Sequence, residues 1–482
     1  MNTARRVAKN TGVLLVSQII SRLLAFFYIM YTARYLGAEG FGILSFALAF
    51  TGIFGVFTDL GLGQLTIREV ARDKSLASKY LANISAMKII LVSITFGLIV
   101  LVINLLGYPK QTIMVVYLIA LSIIFTAFTR IFYSIFQAFE KMEYQSLGQI
   151  LNSVLMLSGV IFAIKQNFNV IGFASLYFIT SIVVLGCNLI ILKRKFSNLA
   201  IVWSPRKIEM DWSFWKPTIK EALPFGLTTI FTTIYFRIDT VMLSLMKGNE
   251  VVGWYNAAYR LIFVLMLIPT ALVGSVFPVI SRLYISSKDS MRLAFERSFK
   301  YLLIIGLPIA VGTTILADKI ILLIYGEEFV PSIIALQILI WVALLMFLTY
   351  LLGNTLGAIN RQPIVLKVAG INAGVNVFLN ILLIPRFSYI GASIATVATE
   401  TVGFVLLLYF TSKYIYKLPL HKYIIRPILA SLAMSGLLLY LKGTTLLLLI
   451  PATAILYFGV LYFLDTFSVQ DADLFKRILR GG

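Results

Sequence analysis

The sequence predicts an all-α polytopic membrane protein: about fourteen transmembrane helices, in two six-helix lobes related by a parallel pseudo-two-fold repeat, plus two extra C-terminal helices. Three observations predict it. The chain of 482 residues is 60% hydrophobic with mean hydropathy +0.94, too apolar for a soluble protein of this length. Its apolar runs are each long enough to cross a hydrocarbon core of about 30 Å as a helix. The loops between them alternate from basic to nearly neutral along the whole chain.

The spans are expected at 11–35, 40–64, 81–106, 112–137, 144–164, 169–193, 221–246, 251–277, 299–325, 332–358, 363–384, 389–413, 423–441 and 445–464. Of the 41 Lys and Arg, only Arg34, Lys110, Lys165, Lys247, Lys319, Arg386 and Lys442 belong to the side opposite the termini, and Arg22, Lys88, Arg130, Arg237 and Arg260 fall inside spans. The other 29 share one side with both termini. By the positive-inside rule that side is cytoplasmic, so a multi-pass protein of the cell membrane is expected. The N-terminal apolar run lacks a small-residue cleavage site and reads as a retained helix. The expected domains are an N-lobe over 1–195, a cytoplasmic interfacial linker over 196–220, a C-lobe over 221–415, and the two extra helices with a tail over 416–482. The linker carries Trp203, Arg206, Lys207, Trp212, Trp215, Lys216 and Pro217, a mixture suited to a strip at the headgroup level.

An internal repeat supports the two lobes. Gly37-x-Glu39-x-x-Gly42 recurs as Gly248-x-Glu250-x-x-Gly253, offset by 211; Ala138-x-x-Lys141 with Asn152 matches Ala358-x-x-Arg361 with Asn372, offset by 220; Ile171-Gly172 matches Ile390-Gly391, offset by 219. Six spans per copy, an even number, give both copies the same orientation.

A net charge of +21 raises the question of nucleic acid. Most of it sits in loops that set orientation and meet anionic lipid, and aromatic-interleaved basic patches are absent, so no nucleic-acid partner is expected. One cysteine, Cys187, and one histidine, His421, exclude a disulfide framework and a Cys/His metal cluster within the chain. No Walker motif, catalytic triad or metal-ligand spacing is present, so neither enzymatic chemistry nor a cofactor is expected. The sequon Asn83-Ile84-Ser85 lies at a cytoplasmic span mouth and reads as chance.

The intramembrane charges are the candidate site. A cation in mid-bilayer costs about 2.5–3.5 kcal/mol on insertion scales, so it must snorkel, pair or face a wet cavity. Arg22 lies deep in span one and shares a helical face with Thr11 and Gln18. Arg237 in span seven lies on a face with Thr229, Thr233, Thr240 and Ser244; Asp239 points away from it. Asn256 and Arg260 are one turn apart in span eight, and Arg130 lies with Thr126, Ser134 and Gln137 in span four. Lys88, near a span end, is expected to snorkel. Asp59 and Asp239 are read as the only intramembrane acids and are the ion-coupling candidates. Five inserted cations against two acids make a cationic interior. With Thr, Asn and Gln between the charges, it suits an anionic, hydroxyl-rich ligand, because a guanidinium fork matches phosphate oxygens in pairs. Asn372, Asn376 and Asn380 form a ladder on span eleven that serves either as interhelical glue or as substrate lining.

The runs ARYLGAEGFGILSFALAF, TDLGLGQLTIREVAR and RIDTVMLSLMKGNEVVGWYNAAYRL resemble the polysaccharide-synthesis family of oligosaccharide flippases, within the multidrug/oligosaccharidyl-lipid/polysaccharide exporter superfamily. The likeness covers nearly the whole chain and is strongest at Leu36-Gly37-x-Glu39-x-Phe41-Gly42, Asp59-x-Gly61, Arg68-Glu69, Asp239 and Gly253-x-Tyr255. It implies a V-shaped bilobed carrier that moves a polyprenyl-diphosphate-linked oligosaccharide from the cytoplasmic to the outer leaflet. By that likeness Arg22, Arg237 and Arg260 are headgroup ligands, joined by Gln18, Asn256 and Arg130, and spans thirteen and fourteen (Tyr423 to Leu464) hold the lipid tail. The implied partners are a lipid-linked anionic glycan, membrane lipids, and glycosyltransferases or a polymerase of the same pathway, with the chain itself a monomer. The alternatives are a lipid-linked peptidoglycan-precursor flippase, a cation-coupled multidrug antiporter of the same superfamily, and a non-transporting scaffold. Arg22 in place of an acid in span one argues against the antiporter.

Overall fold

A computed structural model describes residues 3–196 and 211–467, with side chains from Asn10 onward except Thr11. Among these residues twelve helices are long and apolar enough to cross a membrane. Two of the twelve are double. Helix α1 (Thr3–Gly55) leaves helical geometry at Gly37, and the long helix Gln362–Tyr414 does so at Ser388. Each holds two of the expected spans, so the spans expected from the sequence are all present and the protein is a multi-pass membrane protein.

The repeat is written in the backbone. Left-handed residues stand at Gly37 and Gly248, at Gly107 and Gly326, at Glu140 and Asn360, and at Asn167 and Ser388. The pair Glu140 and Asn360 shares its closure too: the N–H of Lys141 donates to the Phe136 carbonyl, and that of Arg361 to the Leu356 carbonyl. The two copies of the Gly-x-Glu-x-x-Gly motif also meet each other. A Cβ on Gly42 would lie 1.7 Å from the carbonyl oxygen of Asn249, and one on Gly253 would lie 2.0 Å from that of Ala38. Only glycine permits this approach of backbones.

Span two departs from the repeat. It does not run unbroken to residue 64. Helix α1 ends at Gly55, a 3₁₀ turn covers Val56–Thr58, and α2 (Leu62–Arg72) starts after Gly61 at φ 86, with Leu60 also left-handed at φ 46. The break lies against α7 (Trp212–Lys247): a Cβ on Gly61 would lie 2.3 Å from the Ala222 carbonyl oxygen, and one on Gly226 2.7 Å from that of Leu60. Nearby, Arg68 forms ion pairs with Glu69 and with Glu221 of α7.

Four further helices complete this region: α3 (Ala77–Leu105), α4 (Lys110–Ala138), α5 (Met142–Lys165) and α6 (Val170–Lys195). Residues 212–220 form the first turns of α7, continuous with span seven through Pro217 and Pro224, and not a separate surface strip. Their order has a local cause. Asp211 caps α7, its carboxylate accepting from the N–H groups of Ser213 and Phe214. Bonding to Ser213 holds that carboxyl below its usual range. Trp215 is buried and donates its indole N–H to Asn83 Oδ1 at 3.0 Å. The sequon asparagine is therefore a buried structural residue. Trp203, Arg206 and Lys207 lie outside the described residues.

By packing, the chain forms two compact units, one of Met1–Asn256 with Ala373–Ala392, the other of Ala257–Asn372 with Ser393–Gly482. The second contains α8 (Asn249–Leu265) beyond Asn256, α9 (Leu267–Ser286), α10 (Lys288–Ile324), α11 (Ser332–Ala358), most of α12 (Gln362–Tyr414), α13 (Leu420–Tyr440) and α14 (Leu446–Phe463). There α13 and α14 pack on α10, with Tyr457 donating to the Ile304 carbonyl.

Gly42→Ala is expected to destabilise the protein by about 1–3 kcal/mol through overpacking, read as a lower melting temperature in detergent. Gly97→Ala, with no atom within 4 Å of the added Cβ, should leave the melt unchanged.

Candidate functional site

Helices of the first compact unit enclose a polar cavity of about 660 Å³. From α1 come Gln18, Ser21 and Arg22; from the break and α2 come Asp59, Gly61, Gly63 and Gln64; from α4 come Thr126, Thr129, Arg130, Tyr133, Ser134 and Gln137. Gln145, Gln149, Asn152 and Ser153 of α5, Ser181 of α6 and Thr229 of α7 close it. Polar residues fall on one side of each helix because the spacings follow the helical period: Gln18 and Arg22, Thr126 and Arg130, Gln145 and Gln149 are each one turn apart. Gln18, Arg22 and Arg130 thus meet in one place, as do Thr126, Ser134 and Gln137. Gln64, Gln145 and Gln149 went unread in the sequence, and Asn152 was read only as a mark of the repeat; the one-turn spacing of Gln145 and Gln149 was the available signal.

Among the described residues neither Arg22 nor Arg130 forms an ion pair. Arg22 has a buried guanidinium nitrogen, Nη1, with no hydrogen-bond partner. Burying such a donor unsatisfied costs about 1–3 kcal/mol, more when it is charged.

The carboxylate in this cavity has a partner. Asp59 accepts from Lys88 Nζ at 2.5 Å and from the Gly63 N–H at 3.3 Å. Lys88 is wholly buried and also donates to the Ala127 carbonyl at 3.2 Å. The expected snorkelling is therefore corrected: pairing across 29 residues of sequence accommodates this cation better than reaching for the surface. Asp59 itself is about a quarter exposed, toward the cavity. The turn that carries it separates two environments. Asp59, Gly61 and Gly63 face the polar cavity, while Leu60 and Leu62 line an apolar groove with Met87, Ile90, Trp212 and Trp215.

Other expected residues lie elsewhere. Arg237 is not in the cavity lining. Its Nη1 donates to the Leu48 carbonyl at 2.7 Å, and its guanidinium packs over Gly52. Asn256 is buried and donates to Thr240 Oγ1 and the Val252 carbonyl, which makes it an interhelical bond and not a cavity donor. Asp239 is also buried, accepting from Tyr255 Oη at 2.8 Å and from Asn380 Nδ2 at 2.5 Å. Asn380 thus joins its helix to α7, and it also donates to Asn376 Oδ1 one turn away on its own helix. Arg260 belongs to the other compact unit. Two acids were too few: Glu400 in α12 is also buried, accepting from Thr349 Oγ1 at 2.6 Å.

A bundle of membrane-spanning helices around a polar cavity is the make-up of a membrane carrier. The chain belongs to the polysaccharide biosynthesis protein family, whose profile matches residues 7–284, more than half of its length. The MatE profile matches residues 224–382. Among relatives, the chain is 23% identical over 419 residues to the "Probable low-salt glycan biosynthesis flippase Agl15" of Haloferax volcanii, covering 85% of this chain and 84% of that one. It is 22% identical to the capsular polysaccharide biosynthesis protein CapF of Staphylococcus aureus, covering 84% and 99%. Its fold is similar to that of the lipid II flippase MurJ in an inward closed conformation, with TM-score 0.74 and 19% identity over 94% of this chain and 99% of that one.

Arg237→Gln is expected to cost about 1.5–3 kcal/mol, the worth of a hydrogen bond from a charged donor. The loss should appear in the detergent melt, with binding of inorganic pyrophosphate unchanged.

Proposed function

We propose that this protein carries a polyprenyl-diphosphate-linked oligosaccharide from the cytoplasmic to the outer leaflet by alternating access. The observation that carries the reading is Arg22 with its unpartnered nitrogen, lining together with Arg130 one cavity rich in amides and hydroxyls. Two guanidiniums provide paired donors for diphosphate oxygens, and glutamine, asparagine, serine and threonine provide both donors and acceptors for sugar hydroxyls. Gln18, Arg22 and Arg130 are the proposed headgroup ligands. Relatives named for glycan and capsular polysaccharide biosynthesis support a glycan cargo. The lipid tail is assigned to α13 and α14, and the basic face of the loops to the cytoplasm.

A cation-driven drug antiporter is disfavoured at this site, because its carboxylate, Asp59, is already held by Lys88. Asp239 is the proposed coupling group. Its cluster holds buried amide atoms without partners, Asn376 Nδ2 and Asn380 Oδ1, and an ion or proton can reorganise such a network.

The test is a leaflet-resolved assay of a polyprenyl-diphosphate oligosaccharide in vesicles containing the protein. Arg22→Ala and Arg130→Ala should each lower transport by about ten- to a hundredfold, the worth of one or two charge-assisted hydrogen bonds, with insertion unchanged. Full transport by both variants overturns the reading. Asp239→Asn should abolish any dependence on a sodium or proton gradient while leaving pyrophosphate binding intact.

A further inference from the structure

The anion-binding reading leaves one group unused: Lys88, a wholly buried cation that does not line the cavity. Its Nζ sits 2.5 Å from Asp59 Oδ1, behind the one carboxylate that does. Arg130 lines the same cavity as Asp59. From this arrangement we infer that Lys88 is a positioning residue for anion recognition: it neutralises Asp59 from behind, so that the cavity presents the full charge of Arg22 and Arg130 to a diphosphate. This deepens the proposed function and rests on it.

Arg22, Arg130 and Asp59 line one cavity. With Asp59 uncompensated, its carboxylate is the nearest available partner for a guanidinium and repels an incoming anion. Lys88 prevents this at its own expense, being removed from water and held by a carboxylate and one backbone carbonyl. The second oxygen of Asp59 is tied to the Gly63 N–H at the start of α2, which turns the carboxylate toward its own helix. A Cβ on Gly63 would lie 3.4 Å from both carboxylate oxygens and 3.2 Å from Ser134 Oγ, so the α2 backbone, α4 and Asp59 fit closely around this arrangement.

A purely structural ion pair makes a different prediction. Breaking it from either side lowers stability in the same direction, and binding follows stability. Neutralising from behind predicts opposite signs. The experiment measures inorganic pyrophosphate binding to the detergent-solubilised full chain, with the melting temperature of each variant recorded alongside. Lys88→Met and Asp59→Asn should both melt earlier than the parent. Lys88→Met should weaken pyrophosphate binding by about tenfold or more, the effect of losing one charge-assisted contact. Asp59→Asn should bind as tightly as the parent or tighter, and the double variant should return to within about threefold of the parent.

Weakened binding in Asp59→Asn or in a folded double variant overturns the inference, as does parental binding by Lys88→Met. If Lys88→Met does not fold, Asp59→Asn and the double variant decide it. Arg22→Ala separates the two levels. If it binds pyrophosphate like the parent, the anion-site reading itself falls. If it weakens binding and Lys88→Met does not, only the role of Lys88 falls.

Discussion

The ion pair between Asp59 and Lys88 is the constraint around which the first compact unit is organised. An apolar surrounding demands that backbone polar groups find partners within the protein, and span two breaks inside such a surrounding. The break is closed by local bonds. The N–H groups of Asp59 and Leu60 share the Val56 carbonyl, Leu62 N–H bonds the Asp59 carbonyl, and the Asp59 side chain takes the N–H of Gly63. One residue thus serves the backbone with its carbonyl and one carboxylate oxygen, and a distant helix with the other. Remove Lys88 and a carboxylate that is three-quarters covered loses its cation, a loss smaller than the cost of about 3–5 kcal/mol for a fully buried pair because its open quarter meets the cavity. The close contacts of Gly61 with α7 and the ion pair of Arg68 with Glu221 depend on where that break holds α2.

The repeat explains why the site is where it is. Every left-handed turn from Gly107 to Asn167 has a counterpart in the second copy, at an almost constant spacing. The break at Leu60 and Gly61 has none. At the corresponding place the second copy interrupts its helix only mildly, between Leu265 and Leu267, with Met266 still in right-handed helical geometry. Asp59 belongs to the irregular copy alone. Twin scaffolds diverge where one of them acquires chemistry, and real proteins break local rules at functional sites. The cavity opens beside the one broken span.

Much of this was legible in the sequence, and the failures share a cause. Spans, their number and the repeat follow from hydropathy and glycine spacing, which are local properties. Arg22 was readable because a guanidinium that deep in a helix cannot snorkel, and Gln18 because it shares the face. Lys88 was misread because distance from a span end was the available measure, whereas its fate depends on Asp59, 29 residues away and on the far side of a break that propensity does not predict. Arg237 and Asn256 look like cavity residues by the same facial argument that succeeds for Arg22. Their difference lies in what stands opposite: the Leu48 carbonyl for one, Thr240 for the other. A helical face says which residues point together, not whether they meet water or another helix. Glu400 was overlooked within a span otherwise read as apolar, though its residue type alone marked it.

A carrier must release what it binds, and this sets a limit on how much positive charge a site should show. Affinity saturates usefulness once the bound state is deeper than the conformational change can climb. The first compact unit contains Arg22, Arg130, Lys88 and Arg237 within or beside its spans, yet only the first two stand in the cavity without a carboxylate partner of their own. Lys88 is spent on Asp59, and Arg237 donates to a backbone carbonyl. Amides and hydroxyls make up most of the remaining lining, groups whose hydrogen bonds exchange with water at small net cost. In the proposed cycle, a headgroup held by two forks and many weak bonds is selected by charge and shape together. It can still be given up when the helices rearrange, which a cavity exposing all four cations would oppose.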